Sequence, residues 1–226
     1  MKNILFCSYR DWSRKIYERV VGSRDEHVEI IYVTEGDDLK SLIQKHEPIC
    51  IFFIGWSWII EADIVNNYEC ICLHPSPLPK YRGGSPLQNQ IINGEKNSAI
   101  SLFLMDEYID KGDILFQKEF SLRGNLSEIY DRITDLGIEG VNRLIDFKLY
   151  EGGKFVGEKQ DHNKSTYYKR RKPSMSEIKI DDIREFTASQ LHDKVRALQD
   201  PYPNAFITCK DGTKLFFKNT EVENEI

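Results

Sequence analysis

Ile49-Cys50-Ile51-Phe52-Phe53-Ile54, bounded by Pro48 and Gly55, is apolar at every position. A strand with one wet face alternates polar and apolar residues. An unbroken apolar run belongs to a strand covered on both faces, as in parallel sheets. Toward the N-terminus, Asp37 to Glu47 has amphipathic helical spacing and is stopped by Pro48. Residues 28–33 (Val-Glu-Ile-Ile-Tyr-Val) read as a second strand. Residues 12–21 put Trp12, Ile16, Val20 and Val21 on one side of a helix, and residues 3–8 are a buried strand. Toward the C-terminus, residues 70–73, 99–105 and 114–120 read as strands, the last two joined by a polar loop. Asn125 to Tyr150 is a long helix opening with Asn125 and Glu128 at capping-box spacing. Strands alternating with helices predict an α/β fold, a Rossmann-like, mostly parallel sheet with helices on both faces. Around residues 157–177 the chain turns polar and basic, with Lys164, Lys169, Arg170, Arg171 and Lys172 before Pro173. This reads as a connector. A helix over 185–198, a Pro-Tyr-Pro turn and two short strands around Lys210-Asp211-Gly212 then form a small C-terminal α+β appendage. The expected division is 1–160 for the α/β domain and 161–226 for the connector and the helix/β-hairpin region.

The composition agrees with one large domain and a small addition: 226 residues, 40% apolar and 30% charged, which excludes a disordered chain. Lys+Arg 31 against Asp+Glu 36 gives a net charge of -5. Such a chain is a poor general binder of phosphate backbones, so no nucleic-acid partner is expected and any anionic ligand needs a local cluster of cations. The first residues carry only a short apolar run and do not read as a signal peptide. The longest apolar stretch, Ile49 to Ile60, is interrupted by Gly55 and Ser57 and falls short of the ~20 residues that span a bilayer, so no membrane association is expected. The five cysteines, Cys7, Cys50, Cys70, Cys72 and Cys209, are odd in number and lie mostly in apolar runs, the pattern of buried thiols in a reducing, cytoplasmic setting. Cys70 and Cys72 have no second Cys/His pair nearby, so no metal site is expected.

In parallel α/β sheets ligands bind beyond the carboxyl ends of the strands, so the loops after Phe6, Ile54, Leu73 and Met105 matter most. His74-Pro75-Ser76-Pro77-Leu78-Pro79-Lys80-Tyr81-Arg82-Gly83-Gly84-Ser85-Pro86 is too rich in proline and glycine for helix or interior strand and reads as a rigid, extended loop. Its histidine either caps the strand end or serves a site. Met105-Asp106-Glu107-Tyr108-Ile109-Asp110-Lys111-Gly112-Asp113 carries four carboxylates at a turn, which by itself reads as a solvated hairpin loop. Together, a histidine beyond one strand and an aspartate beyond another can converge at one edge of the sheet.

These segments resemble the 10-formyltetrahydrofolate-dependent formyltransferases, whose pattern is Asn-x-His-Pro-Ser-x-Leu-Pro followed by an aspartate in a loop ending near Gly-Asp. Here it reads Cys72-Leu73-His74-Pro75-Ser76-Pro77-Leu78-Pro79, then Asp110-Lys111-Gly112-Asp113. The resemblance extends to Thr166-Tyr167-Tyr168-Lys169-Arg170-Arg171-Lys172-Pro173 and to Val195-Arg196-Ala197-Leu198 before Pro201-Tyr202-Pro203-Asn204-Ala205-Phe206. Gly55-Trp56-Ser57-Trp58-Ile59-Ile60 and Tyr81-Arg82-Gly83-Gly84-Ser85-Pro86 are similar to the branch acting on nucleotide-linked amino sugars. A chain ending at 226 leaves no room for the large C-terminal domain of methionyl-tRNA formyltransferase.

The resemblance implies transfer of a formyl group from 10-formyltetrahydrofolate, as cosubstrate, to the amine of a dTDP- or UDP-linked amino-deoxysugar for surface polysaccharide. His74 is then the general base and Asp110 its orienting carboxylate. Cys72 stands where the family has its catalytic asparagine. Trp58, Ile59, Ile60, Met105, Ile109 and Asp113 are expected around the folate, although Trp58 also fits plain core packing. Tyr9, Arg10, Ser13, Lys80, Tyr81, Arg82 and Gly83 are expected around the nucleotide sugar, and each basic residue among them is equally at home as surface charge. A homodimer is implied, with Phe206, Leu215, Phe216 and Phe217 at its surface or in the appendage's own core. The other readings are formylation of aminoacyl-tRNA, a non-catalytic folate or nucleotide-sugar binder, and hydrolysis of formylfolate by a Cys72–His74 pair.

Overall fold

A computed structural model of the chain describes residues 2–24 and 27–223. The central sheet has six strands in the order β2-β1-β3-β4-β6-β7. They are β1 (Lys2–Cys7), β2 (Val28–Val33), β3 (Cys50–Ile54), β4 (Cys70–His74), β6 (Asn97–Leu104) and β7 (Ile114–Ser121), while β5 (Arg82–Gly83) lies outside this sheet. The first four run parallel, joined through α1 (Asp11–Val21), α2 (Leu39–His46) and α3 (Ala62–Asn67). β6 runs antiparallel to β4, and β7 antiparallel to β6, to which a loop rather than a crossover helix joins it.

The strand at 49–54 is the middle of the sheet, and all five residues of β3 are buried. Its alternation decides which layer each residue feeds. Cys50, Phe52 and Ile54 meet Ile16 and Val20 of α1, while Ile51 and Phe53 meet Ile43 of α2 and Ile64 and Val65 of α3. On the α1 side the long helix α5 (Leu126–Asp146) lies along the sheet. Asn125 and Glu128 cap it reciprocally, and it continues past Asp146 as a π-helical turn over Phe147–Glu151, so the chain is helical to Tyr150 as expected. Gly140 lets it sit close: a Cβ there would lie 2.5 Å from Leu102 Cδ1 and 2.8 Å from Phe116 Cδ1.

Two helices escape a reading by periodicity. α3 is a single short turn of chain after the exposed loop at 56–60. α4 (Pro86–Ile92) starts inside the proline-rich segment, with Pro86 in the first turn, where a missing N–H costs nothing. The same segment is not wholly irregular, since β5 pairs in parallel with β8 (Tyr167–Tyr168). The helix expected over 185–198 is α7 (Ala188–Ala197), capped by Thr187, and a further short helix, α6 (Ile180–Glu185), precedes it. β9 (Ala205–Thr208) and β10 (Lys214–Phe217) form the hairpin around Lys210-Asp211-Gly212. Val195, Ala197, Leu198 and Ala205 join the same core as Ile16 and Ile133. Among the described residues no helix is long and apolar enough to cross a membrane.

Candidate functional site

β4 delivers His74 to the carboxyl edge of the sheet, and the residues after it form a tightly tied loop. Gln90 Nε2 donates to the Pro75 carbonyl (2.8 Å), Ser101 Oγ to Ser76 O (2.7 Å) and Gln117 Nε2 to Leu78 O (3.0 Å). The loop returns so that His74 Nε2 lies 2.8 Å from the Tyr81 carbonyl oxygen. A carbonyl only accepts, so Nε2 carries the hydrogen, and in the neutral ring Nδ1 holds the lone pair. Facing Nδ1, at 3.6 Å, is Asp110 Oδ2. The same oxygen accepts the Gly83 backbone N–H at 2.7 Å. Asp110 has φ +54°, a strained conformation for a residue with a side chain.

The expected roles shift in one respect. The Tyr81 carbonyl orients the imidazole. Asp110 stands on the side of the nitrogen that would take the proton, beyond direct hydrogen-bond length.

His74, Cys72, Gly83 and Asp110 meet in one cleft of about 480 Å³, within the roughly 300–1,000 Å³ of small-molecule sites. One part of its lining is apolar: Trp56, Trp58, Ile59, Ile60, Met105, Tyr108 and Ile109. Trp58, Ile59, Tyr108 and Ile109 are exposed there. The buried Trp56 Nε1 has no hydrogen-bond partner, which leaves a donor for a polar edge of whatever fills this slot.

Another part is aromatic and cationic, lined by Arg10, Trp12, Gln88, Tyr130, Arg170, Arg171 and Tyr202. Burial depresses the Arg171 guanidinium pKa, its Nη2 donates to the Met175 carbonyl (2.7 Å), and its buried Nε has no partner. Burial raises the Tyr130 and Tyr202 hydroxyls, with Arg10 opposing the rise in both. Among the described residues none of Arg10, Arg170 and Arg171 forms an ion pair. Three guanidinium groups without an ion pair, Arg10 among them lying 4.8 Å over the Tyr9 ring, in a cleft also lined by Trp12, Tyr130 and Tyr202, suit an anionic ligand bearing an aromatic base.

Ten of the expected site residues line the cleft: His74, Cys72, Asp110, Trp58, Ile59, Ile60, Met105, Ile109, Arg10 and Gly83. The remaining six lie outside its lining, each for a physical reason. Ser13 is fully buried; it donates to Arg10 O (2.9 Å) and accepts from Ser8 Oγ. Tyr9 backs the wall, its hydroxyl 2.6 Å from Ser57 Oγ and its ring 4.6 Å from that of Trp58. Lys80 is exposed to solvent. Tyr81 stacks on Tyr168 (4.9 Å), donates its hydroxyl to Glu95 (2.8 Å), and has that hydroxyl pushed up to about 12 by burial. Arg82 is buried against Gln160 and His162. Asp113 closes the loop through its carbonyl, which accepts the Leu104 N–H at 2.9 Å.

Cys72, where an asparagine amide would be a strong donor, is a thiol kept neutral: burial first and the Asp110 charge second push its pKa up. A neutral thiol donates weakly, and the thiolate a nucleophile needs is disfavoured. Sequence reasoning missed Trp12, Gln88, Tyr130, Arg170, Arg171 and Tyr202 as cleft residues. The available signals are the Arg170-Arg171 cluster of cations in an acidic chain and the place of Arg170, Arg171 and Tyr202 within the family resemblance.

A family model described as formyl transferase matches residues 33–145, half of the chain. A methionyl-tRNA formyltransferase of Clostridioides difficile is 31% identical over 179 residues, 77% of this chain and 54% of that protein. The chain thus spans little more than half the length of the curated relatives it matches. Among solved structures, a methionyl-tRNA formyltransferase from Clostridium thermocellum superposes with a TM-score of 0.80 at 31% identity, covering 96% of this chain and 97% of that one. A 4-N formyltransferase from Francisella tularensis gives 0.80 at 25% identity, covering 99% of both. The match over 33–145 includes His74, Asp110 and both loops that carry them, and with the fold likeness it makes the chain a member of the formyl transferase family.

Proposed function

We propose that this chain transfers a formyl group from 10-formyltetrahydrofolate to the amino group of a dTDP- or UDP-linked amino-deoxysugar used in surface polysaccharide. One observation carries the reading: His74 Nδ1, the free lone pair of the pair with Asp110, stands where an apolar slot meets a cationic, aromatic pocket. The slot suits a pterin, which needs flat apolar walls and a few polar contacts, with Trp56 Nε1 as one available donor. The pocket suits a nucleoside diphosphate, with Arg10, Arg170 and Arg171 for the phosphates and Trp12, Tyr130 and Tyr202 for the rings.

When bound, the folate supplies the activated formyl group. The chain's own residues hold the amine against it and manage the proton. His74 Nδ1 takes the proton the amine loses, and the imidazolium is held by the Tyr81 carbonyl on one side and the Asp110 carboxylate on the other. The positive charge of the imidazolium offsets the charge developing on the formyl oxygen, where Cys72 is only a weak donor. Self-association through the C-terminal hairpin, where Leu215 and Phe216 stand half-exposed, belongs to the same reading.

Incubation with 10-formyltetrahydrofolate and a panel of dTDP- and UDP-linked amino sugars tests the reading by product mass. Formylated sugar supports it. Formate release without transfer points to a hydrolase, and tight binding without turnover to a binder. A methionyl-tRNA substrate is favoured by the curated relatives at about 30% identity. Efficient formylation of methionyl-tRNA with no sugar product would replace the sugar by that substrate.

A further inference from the structure

Behind the cleft, Arg82 and Gln160 are 4% and 6% exposed. Gln160 Oε1 accepts from Arg82 Nε (3.1 Å) and Nη2 (2.6 Å). Gln160 Nε2 donates to the carbonyls of Asp110 (3.0 Å) and Gly112 (2.7 Å). Both amide hydrogens and both lone pairs are thus used. The orientation of the amide is also fixed, because a guanidinium offers no acceptor and a carbonyl no donor. Arg82 Nη2 further donates to His162 Nδ1 at 3.0 Å.

These bonds close a ring. The Asp110 side chain accepts from Gly83 N, Gly83 follows Arg82, Arg82 grips Gln160, and Gln160 grips the Asp110 backbone. Tyr81, one residue earlier, holds His74. Three consecutive residues therefore set the relative position of the two reacting groups. The loop they brace needs it: Asp110 carries a positive φ, and Glu107, Tyr108 and Ile109 before it are exposed. The Arg82 charge faces Asp110 as well, an attraction that opposes the cost of burying the guanidinium.

We propose that Gln160, braced by Arg82, is a positioning residue that holds the Asp110 loop in register with His74. Its role in turnover rests on the formyl-transfer reading, whereas its role in geometry does not. Gln160→Glu is the discriminating variant. It keeps the acceptor for Arg82 and removes the donor to the Asp110 and Gly112 carbonyls. A purely structural contact would survive this exchange, since the buried arginine gains a charged partner.

The expected result is a folded protein whose kcat falls ~10-fold or more, with acceptor KM within ~3-fold, the pattern of lost transition-state positioning. A second readout needs no turnover. The Gly83 amide, which donates to Asp110, should exchange hydrogen at least ~10-fold faster, while the Arg82 amide, bonded to Thr166 O, keeps its protection. A folded Gln160→Glu with unchanged Gly83 exchange, or with kcat within twofold of the parent, overturns the proposal. Where that variant does not fold, Gln160→Asn, neutral and too short to span both carbonyls and Arg82, is judged by the same two readouts. If the parent turns over none of the acceptors, the formyl-transfer reading fails, and the Gly83 exchange alone decides the positioning.

Discussion

At the residue scale the chemistry rests on one nitrogen. Because the Tyr81 carbonyl fixes the hydrogen on Nε2, His74 presents Nδ1 on the Asp110 side, and on the proposed function removing the ring removes the base. His74→Ala is expected to lower formyl transfer by ~100-fold or more with the fold intact. Asp110→Asn should cost far more than Asp106→Asn or Glu107→Gln, because only Asp110 faces His74. Glu107 accepts instead from Asn66, and Asp106 from the Tyr108 N–H. Steady-state rates of the four variants decide this; equal losses at the three carboxylates would misassign Asp110.

Cys72 makes the opposite prediction. A thiol held neutral contributes little, so Cys72→Ala should keep turnover within about fivefold, ~1 kcal/mol on the barrier. Its alkylation by iodoacetamide at pH 8 should run more than ~10-fold slower than that of free cysteine, since burial raises its pKa and thins the thiolate. A dead alanine variant would instead promote Cys72 to nucleophile.

At the element scale, the sequence was most legible where burial is two-sided and least where a residue's partner is distant in the chain. The apolar run at 49–54 marks β3 because it is too short for a typical buried helix and is bounded by Pro48 and Gly55, which leaves a strand covered on both faces. The Asn125–Glu128 capping box marked the start of α5 because its bonds are local. The two loops carrying His74 and Asp110 were legible as a pair only through the family pattern. The partners of Tyr81 and Arg82, namely Tyr168, Glu95, Gln160 and His162, are not legible in the sequence because they lie beyond any periodicity.

Glycine composition hid a further constraint. α5 rests on β6 and β7 through Gly140, where a Cβ would meet Leu102 and the Phe116 ring. Alanine would favour the helix by ~1 kcal/mol, but overpacking a full core costs ~1–3 kcal/mol. Gly140→Ala is therefore expected to destabilise the fold by up to ~2 kcal/mol, read as a lower urea midpoint at unchanged m. A stabilised variant would mean that the sheet surface yields more easily than its packing implies.

At the scale of the whole molecule, the core runs from α1 and α5 through to α7 and β9, so the chain is expected to unfold as one unit. A stress applied under the sheet should reach all of it. Four thiols supply one. Burial raises Cys7, Cys50, Cys70 and Cys72, and Cys70 is pushed up to about 12. Below the ordinary thiol value of about 8.5, folded and unfolded chains both keep the proton, and pH does not bear on their balance. Above it the unfolded chain releases the proton while the folded chain retains it, so stability falls with rising pH, by up to about 1.4 kcal/mol per pH unit for each thiol. For Cys70 the fall begins near 8.5 and ends near 12. Other groups titrate in the same window, so the comparison with Cys70→Ala isolates the thiol. Between pH 8.5 and 10.5 the parent should lose about 2 kcal/mol more than the variant, measured by urea unfolding with tryptophan fluorescence. Parallel losses in the two proteins would mean that the Cys70 thiolate is tolerated against α3, and that the sheet face it occupies is less dry than its full burial requires.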